Sequence, residues 1–367
     1  MKTTIGLISA NYTNDKFGTI AAKRTLASLP YGGRYRLIDF PLSNMINSGI
    51  STVGLITPYN YRSLMDHVGV GKPWSLGRKV GGMFILPGSV YGVRSGTSKF
   101  LQRDLIQNRR YIDRDTADYV LFCGSNKVFN MDFRPLIEQH ERNAYPVTLA
   151  YKKVERGEDC DGFFLNVDES GKVSGIRYTA EGEANYFLDC FVIDREFLLS
   201  FIDWFDALSY MDVMEIVMDS LNDIGVDAYE FTGYVGAVNN IDDYMRVNMD
   251  LLNHDIRTEL FESDRKIFTK VQDEPPVLYR PTARVKNSII SAGCIVEGEV
   301  ENSIIFRSSH IKRGAVVKNC IIMQHGIICE DAYAANMICD KYVTLGRGSR
   351  IEGGCDHPFI IGKNQEL

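Results

Sequence analysis

The spacing of aliphatic residues in the last quarter of the chain restricts the fold more than any other feature of the sequence. After Pro275 and Pro276, a β-branched residue recurs every five or six positions, with glycine and small polar residues between. The series is Val285, Ile290, Ile295, Val300, Ile305, Ile311, Val316, Ile322, Ile327, Ile338 and Val343. Neither the 3.6-residue period of a helix nor the two-residue period of a strand fits it. The spacing predicts a left-handed parallel β-helix, in which each triangular coil stacks one aliphatic side chain per face. A β-sandwich with frequent turns is the alternative.

The part before residue 260 follows a different pattern, in which short apolar runs alternate with helical stretches. The strand-like runs are Thr4–Ser9, Thr52–Thr57, Tyr119–Cys123, Val147–Tyr151 and Phe187–Ile193. This alternation predicts βαβ units around a mixed, mostly parallel sheet, whose ligands bind at the carboxyl ends of the strands. We therefore expect a first domain over residues 1–260, a linker over 261–280 and the β-helix over 281–367.

Composition excludes several classes of protein. The 367 residues include 41 Lys and Arg against 47 Asp and Glu, a net charge of −6, which is unfavourable for binding a nucleic-acid backbone. The 19 Phe and 19 Tyr exclude a disordered chain. No apolar run approaches the length of a membrane span, and no export signal is recognisable. Eight cysteines without a CxxC pair are typical of a reducing compartment. We expect a cytoplasmic protein with neither a nucleic acid nor a membrane as its partner.

Several motifs give the chain its resemblance to a known family. They are LPYGGRYRLIDFPLSNMINSGI at 29–50, Ser95-Gly-Thr97 with Gln102, Asn130-Met-Asp-Phe133, Ile241-Asp-Asp-Tyr244, Asn248-Met-Asp-Leu-Leu252 and Asn302-Ser-Ile-Ile-Phe306. Over essentially its whole length the chain resembles the bacterial ADP-glucose pyrophosphorylases (glucose-1-phosphate adenylyltransferases). The resemblance implies a Rossmann-like nucleotidyltransferase domain followed by a left-handed β-helix, and a reaction of ATP with glucose 1-phosphate.

That reaction needs a glycine-rich turn for the nucleotide phosphates, and here the turn is absent. Backbone N–H groups approach phosphate closely where no Cβ intervenes. The family's GGGxG run corresponds to Ile8–Lys16, which has no glycine and carries Asn11, Tyr12 and Asp15. In the basic motif that follows, Arg24 is retained, but the lysine position is Leu26. The resemblance leaves only a remnant pocket, which we assign to Arg24, Gly96, Thr97 and Gln102.

The metal site departs from the family pattern as well. Mg²⁺ is usually held by one or two carboxylates and the substrate phosphates. The family's Ser-Gly-Asp-His segment corresponds to Gly124-Ser-Asn-Lys127, so that Asn126 replaces a metal carboxylate. The second carboxylate corresponds to Ala237. A register slip toward Asp132 is the alternative interpretation. We expect no catalytic residue, no metal and no cofactor bound by this chain, with Mg²⁺ used by a catalytic partner.

Further departures lie on the sugar side and among the basic residues. The family's Phe-x-Glu-Lys-Pro segment has no counterpart at 176–182, and an aspartate position is taken by Lys99. Lys99 is grouped with Arg103, Arg109 and Arg110, a cluster that we interpret as a solvated helix face rather than an anion site. A small anionic effector is left open as a partner. Our candidates to bind it are Arg34 and Arg36.

The departures from the family pattern lie at positions that bind metal or substrate, whereas the motifs of the scaffold are present. In this respect the chain resembles the family's non-catalytic GlgD-type subunits. The resemblance implies a regulatory chain in glycogen synthesis that pairs with a catalytic paralogue in a heterotetramer. One alternative is a weak adenylyltransferase that recruits Mg²⁺ through Asp132 or Asp242. Another is a module that senses a sugar phosphate or nucleotide without turnover.

Overall fold

The computed structural model describes residues 2–10, 15–57, 60–89, 99–114, 116–143, 145–221, 223–354 and 357–367. The strands of the first part of the chain are β1 Thr4–Ser9, β2 Pro30–Tyr31, β3 Tyr35–Arg36, β4 Thr52–Thr57, β5 Gly82–Pro87, β6 Tyr119–Gly124, β7 Lys127–Val128, β8 Val147–Val154, β9 Phe164–Val167, β10 Val173–Arg177, β11 Ala184–Asp194, β12 Val226–Glu230 and β13 Gly236–Ala237. The helices are α1 Asp39–Asn47, α2 Arg62–Val68, α3 Gln102–Gln107, α4 Arg109–Asp113, α5 Arg134–Asn143, α6 Arg195–Trp204, α7 Val213–Asp219, α8 Ile241–Met249 and α9 His254–Phe261. Among the described helices, none combines the length and the apolar character needed to cross a bilayer.

The main sheet is mixed, as the strand–helix alternation predicts. Its strand order is β10–β9–β11–β6–β1–β4–β5. In addition, β8 pairs with β11, and β12 pairs with β8. Strands β6, β1, β4 and β5 run parallel, and β12 runs parallel to β8, whereas β11 is antiparallel to both β6 and β8. Because β1 and β6 are parallel neighbours, Ser9 and Gly124 lie side by side at their carboxyl ends. This edge of the sheet positions the candidate site.

The second part is a stack of short parallel strands with hexapeptide-type spacing, as in a left-handed β-helix. They are β14 Leu278–Tyr279, β15 Arg284–Lys286, β16 Ile289–Ile290, β17 Ile295–Val296, β18 Glu299–Glu301, β19 Ile304–Ile305, β20 His310–Ile311, β21 Val316–Ile322, β22 Ile327–Ile328, β23 Tyr333–Cys339, β24 Thr344–Leu345, β25 Arg350–Glu352 and β26 Phe359–Ile361. One interior column consists of Val296, Ile311, Ile328 and Leu345, all buried. The steps between them are 15, 17 and 17 residues, or three faces of five to six residues for each coil.

The prediction of interior residues was wrong at several positions of this stack. Ile327 is 36 % exposed, and Ile295 and Val316 are only half-buried, while the next residue along each strand faces inward. The reason is that paired aliphatic residues, such as Ile327 and Ile328, occupy one strand whose side chains alternate between inside and outside. Spacing alone does not distinguish the two members of such a pair.

An asparagine ladder marks one corner of the coils. Asn287, Asn302, Asn319 and Asn336 all have φ between 42° and 50°, the left-handed region that asparagine tolerates better than most residues. The Asn287 side chain donates to Asn302 Oδ1 at 2.7 Å, and Asn319 donates to Asn336 Oδ1 at 3.1 Å. The side-chain amides thus connect successive coils at the sharp turns.

The two parts share one apolar core. It includes Leu29, Leu37, Phe40 and Tyr244 of the first part and Ile304, Phe306, Ile321, Met323 and Ile338 of the β-helix. At its margin, Ser291 Oγ donates to the Gly33 carbonyl at 3.0 Å, and a Cβ on Gly33 would collide with that hydroxyl. Gly33 also has φ of 81°, so that glycine is required both by conformation and by close approach.

Candidate functional site

The loops at the carboxyl ends of β1 and β6 are bound to one another. Ser125 Oγ donates to the Ser9 carbonyl at 2.8 Å, and Ser9 Oγ donates to the Lys99 carbonyl at 2.5 Å. Asn11, Tyr12, Gly96 and Thr97 lie outside the described residues, as do all of 11–14 and 90–98. The cleft is therefore described from the residues that follow β6, from Lys99 and from the strands opposite.

The structure brings the two family metal positions together. Strand β7 pairs with β13 in the register Lys127 to Ala237, so Asn126, which directly precedes β7, lies one residue out of register with Ala237. Asn126 Nδ2 donates to Asn239 Oδ1 at 2.8 Å, and the Asn126 carbonyl accepts from the Val238 amide at 2.9 Å. A neutral amide, Asn126, therefore stands at one position where the resemblance places a carboxylate, and its partner is a second neutral amide, Asn239.

Beside them lies a buried ion cluster of Lys99, Asp189 and Lys127. Both ammonium groups contact Asp189 Oδ2. The exposed fractions of the three side chains are 5, 2 and 1 % respectively. Lys127 Nζ also lies 4.8 Å from the ring centroid of Tyr186, in a cation–π geometry. Lys99 was predicted to lie on a solvated face with Arg103, Arg109 and Arg110. That prediction was wrong for Lys99, because its side chain turns inward to reach the carboxylate.

Burial and charge act in opposite directions on this cluster. Burial by itself would raise the pKa of Asp189, but the positive charges of Lys127 and Lys99 outweigh it and lower that pKa below its usual value. Burial also lowers the pKa of Lys99, against the opposing effect of Asp189. The carboxylate is thus held in its ionised form by the two lysines.

Asp189 adopts a backbone conformation that is unfavourable for a residue with a side chain. Its φ is 53°, and it lies in β11 where the register with β8 shifts between Phe187 and Phe191. The left-handed region costs about 1–2 kcal/mol for most L-residues. Asp189 therefore occupies a position that glycine would fill more easily, with its carboxylate between the two lysines.

The residues of this cleft do not fit Mg²⁺. Hard anionic oxygens are its preferred ligands, whereas Asn126 offers one neutral amide oxygen, Ala237 offers none and Lys127 places a cation next to both. Within the described ranges, no group of three His, Cys, Asp or Glu side chains is arranged to hold a metal.

The carboxylates named as alternative metal ligands have other partners. Asp132 accepts hydrogen bonds from Arg134 at 2.7–3.0 Å at the start of α5, and this guanidinium helps to lower the pKa of Asp132 against the effect of burial. Asp242, in the first turn of α8, contacts His357 Nδ1 at 2.8 Å. Asp132 thus takes part in an ion pair, and Asp242 has a histidine as its partner.

Of the residues assigned to a remnant pocket, the two that are described make contacts in different parts of the structure. Arg24 is buried and pairs with Asp340 of the β-helix at 2.5 Å, which places it at the interface between the two parts of the chain. Gln102 is buried at the start of α3 and donates to the Ile202 carbonyl of α6 at 3.2 Å. Arg24 therefore links the two parts, and Gln102 connects α3 to α6.

The candidate effector residues face two different environments. Arg34 is exposed and lines a groove of about 530 Å³ together with Arg257 and Arg307, between α9 and the first coils. Arg36 is half-buried and donates to the Ser63 carbonyl at 2.7 Å. Burial lowers the pKa of Arg36 to about 10.

Lys341, which the sequence did not indicate, lies close enough to Arg36 for their positive charges to interact. Burial lowers the pKa of Lys341 to about 7, the positive charges of Arg36 and Arg24 lower it as well, and Asp340 opposes them. Lys341 lies two residues after the end of β23, far from Arg24 and Arg36 in sequence, and no local sequence pattern predicts its contact with them. Asp189, also missed, had a detectable signal, because it is the one carboxylate inside the apolar run Phe187–Ile193.

Known proteins match both parts of the chain. The nucleotidyl transferase family matches residues 19–173, and the GlmU-like C-terminal hexapeptide family matches residues 279–358. These matches define a nucleotidyltransferase fold joined to a hexapeptide β-helix.

Full-length relatives narrow this class. The chain is 31 % identical to the glycogen biosynthesis protein GlgD of Bacillus subtilis (strain 168), over 98 % of this chain and 95 % of the relative. It is 33 % identical to the GlgD protein of Geobacillus stearothermophilus, over 85 and 82 % of the two chains. It is 29 % identical to the glucose-1-phosphate adenylyltransferase of Clostridium perfringens (strain 13 / Type A), over 100 and 96 %. The chain belongs to the ADP-glucose pyrophosphorylase family.

Proposed function

We propose that this chain is a regulatory, catalytically silent subunit of ADP-glucose pyrophosphorylase in glycogen biosynthesis. The observation that carries the proposal is the absence of a carboxylate at both of the family's metal positions: Asn126 donates to Asn239, and Ala237 pairs in register with the buried Lys127. A site without anionic ligands cannot assemble Mg²⁺ and two polyanionic substrates in the usual way. The scaffold around it is intact, as expected of a chain that is retained for its surfaces.

The partner in this proposal is a catalytic paralogue, and the first coil of the β-helix offers a surface for it. Strands β14 and β15 each pair on one side only among the described strands. Leu278, Tyr279 and Val285 on these strands are 43, 53 and 39 % exposed. Open backbone edges with apolar side chains favour association with another folded chain. The described cysteines are free, which suits the cytoplasm that we propose as the location.

A small anionic effector is the second partner that we propose. Arg36 and Lys341, both half-buried, provide positive charge at the interface of the two parts of the chain, and Arg34 provides exposed charge on the groove beside α9. An anion that contacts both parts would change their relative stability, and this is a physical route for regulation. The same residues favour the alternative of a sensing module, which differs only in having no catalytic partner.

The experiment compares ADP-glucose synthesis by three samples: this protein alone, the catalytic paralogue alone, and the two co-expressed. We expect no synthesis by this protein alone and a change in the affinity or rate of the paralogue in the mixture. Allosteric coupling is typically about 5- to 150-fold in affinity. Robust synthesis by this protein alone, or failure of the two chains to co-purify, would contradict the proposal.

The alternative of a weak enzyme has a separate test. It requires Asp132 or Asp242 to leave its ion pair and bind Mg²⁺. Pyrophosphate exchange by the isolated protein that disappears in Asp132→Ala or Asp242→Ala would support that alternative. Calorimetry with ATP, ADP-glucose and sugar phosphates tests the sensing module, which predicts heat of binding without turnover.

A further inference from the structure

The ion cluster of Lys99, Asp189 and Lys127 raises the question of what its carboxylate replaces. The three side chains come from three separate segments: the loop before α3, strand β7 and the middle of β11. They meet beside Asn126, at the edge where the parallel strands of such sheets bind their ligands. Two ammonium groups that converge on one oxyanion are the arrangement by which proteins bind a phosphate group.

We propose that Asp189 acts as an internal substitute for a phosphate and closes the cleft against external phosphorylated ligands. Its carboxylate occupies the position between the two ammonium groups, and the three side chains are almost completely buried. The cluster has two positive charges and one negative charge, so removal of the carboxylate leaves two buried cations that attract an oxyanion. The inference rests on the proposed function only in assuming that this cleft does not catalyse the reaction. It does not require a partner subunit.

The backbone conformation of Asp189 supports the proposal that its carboxylate takes the place of a phosphate. Asp189 has φ of 53° at the irregular register of β11, where a glycine would relieve the conformation and leave room between the lysines. Aspartate is one of the few residues besides glycine that adopt positive φ, and the Asp189 side chain contacts Lys99 and Lys127 from this position.

The test measures the thermal unfolding of the isolated full-length protein in increasing inorganic phosphate, with sodium chloride at matched ionic strength. We expect Asp189→Asn to gain a phosphate-dependent rise in Tm that exceeds any rise in the wild type. At a phosphate concentration one hundred times the Kd, binding raises the ratio of folded to unfolded protein about 100-fold. The double variant Lys127→Met with Asp189→Asn should lose this additional response.

The matched control is Asp203→Asn, which removes the carboxylate that contacts Arg109 in an exposed ion pair. We expect this control to respond to phosphate as the wild type does. A response of Asp189→Asn no larger than that of the wild type overturns the proposal. So does an equal response in the double variant.

A second measurement needs no variant and decides the question if Asp189→Asn fails to fold. Acetic anhydride labelling of the wild type, read by mass spectrometry, compares Lys99 and Lys127 with Lys153. Lys153 is 66 % exposed in its ion pair with Glu230. We expect Lys153 to be acetylated and the two cluster lysines to be protected. Equal labelling of all three would mean that the cleft is open, and the proposal would fail. Because neither experiment measures ADP-glucose synthesis, this inference and the proposed function fail separately.

Discussion

The register of the β-helix predicts a large difference between two adjacent isoleucines. Ile328 is fully buried in the column between Ile311 and Leu345, whereas Ile327 precedes it in the same strand and is 36 % exposed. Ile→Ala removes about three carbon atoms, worth about 0.8 kcal/mol each when buried. For Ile328 this transfer term is about 2.4 kcal/mol, and the cavity left between neighbouring coils brings the loss to about 3–4 kcal/mol.

The same substitution at Ile327 leaves no closed cavity and removes atoms that already contact water. We expect it to cost about 1–1.5 kcal/mol. Ile327→Ala is therefore the matched control for Ile328→Ala, since the strand and the chemical change are the same and only the side of the strand differs. The two losses should differ by about 2 kcal/mol.

Urea unfolding followed by circular dichroism measures this difference. Both residues lie in one coil, so both losses are read from the same transition. The m value should be the same in the two variants, because neither changes the surface exposed on unfolding by much. Equal losses, or a larger loss for Ile327→Ala, would refute the assigned register and the coil length of 15 to 17 residues.

Three further predictions follow from other contacts. Asp340→Asn removes the carboxylate that pairs with the buried Arg24, and we expect a loss of about 3 kcal/mol in urea unfolding; a loss below about 0.5 kcal/mol would show that the pair does not hold the two parts together. Asn240→Ala removes the side chain that caps α8, with an expected loss of about 1 kcal/mol, similar to that of Asn253→Ala at the cap of α9. The pKa of Lys341 is about 7, so this lysine is mostly neutral above that pH, and its charged form favours anions. The affinity for sulfate, whose charge is constant here, should fall in calorimetry as the pH rises from 7 to 9, and Lys341→Met should flatten this dependence.

The sequence predicted those features that depend on local pattern. The spacing of β-branched residues predicted the β-helix, because each face of a coil repeats the same short pattern. Motif positions identified Asn126 and Ala237, and the pairing of β7 with β13 brings their two segments together. Sequence did not predict which residue of each aliphatic pair faces inward, because both residues of pairs such as Ile327 and Ile328 are equally apolar.

Contacts between distant residues were beyond sequence reasoning. Asp189 lies 90 residues from Lys99 and 62 from Lys127, and no periodic pattern connects them. Arg24 and Asp340 are 316 residues apart. A retained arginine was therefore assigned to a remnant pocket, although it serves the interface between the two parts of the chain.

Because Lys99 and Lys127 share the Asp189 carboxylate, these departures from the family pattern depend on one another. Lys99 and Lys127 looked like separate changes in sequence, but both contact Asp189 Oδ2, so the cost of changing one depends on the others. A lysine without the aspartate is a buried cation, and the aspartate without a lysine is a buried anion at φ of 53°. Chains with all three residues, or with none, avoid both penalties. A double-mutant cycle of Lys127→Met and Asp189→Gly should accordingly give a coupling free energy within the range of about 0.5–3 kcal/mol seen for contacting residues. If the losses of unfolding free energy in the two single variants simply add in the double variant, Lys127 and Asp189 are not coupled. The closed cleft would then result from independent substitutions.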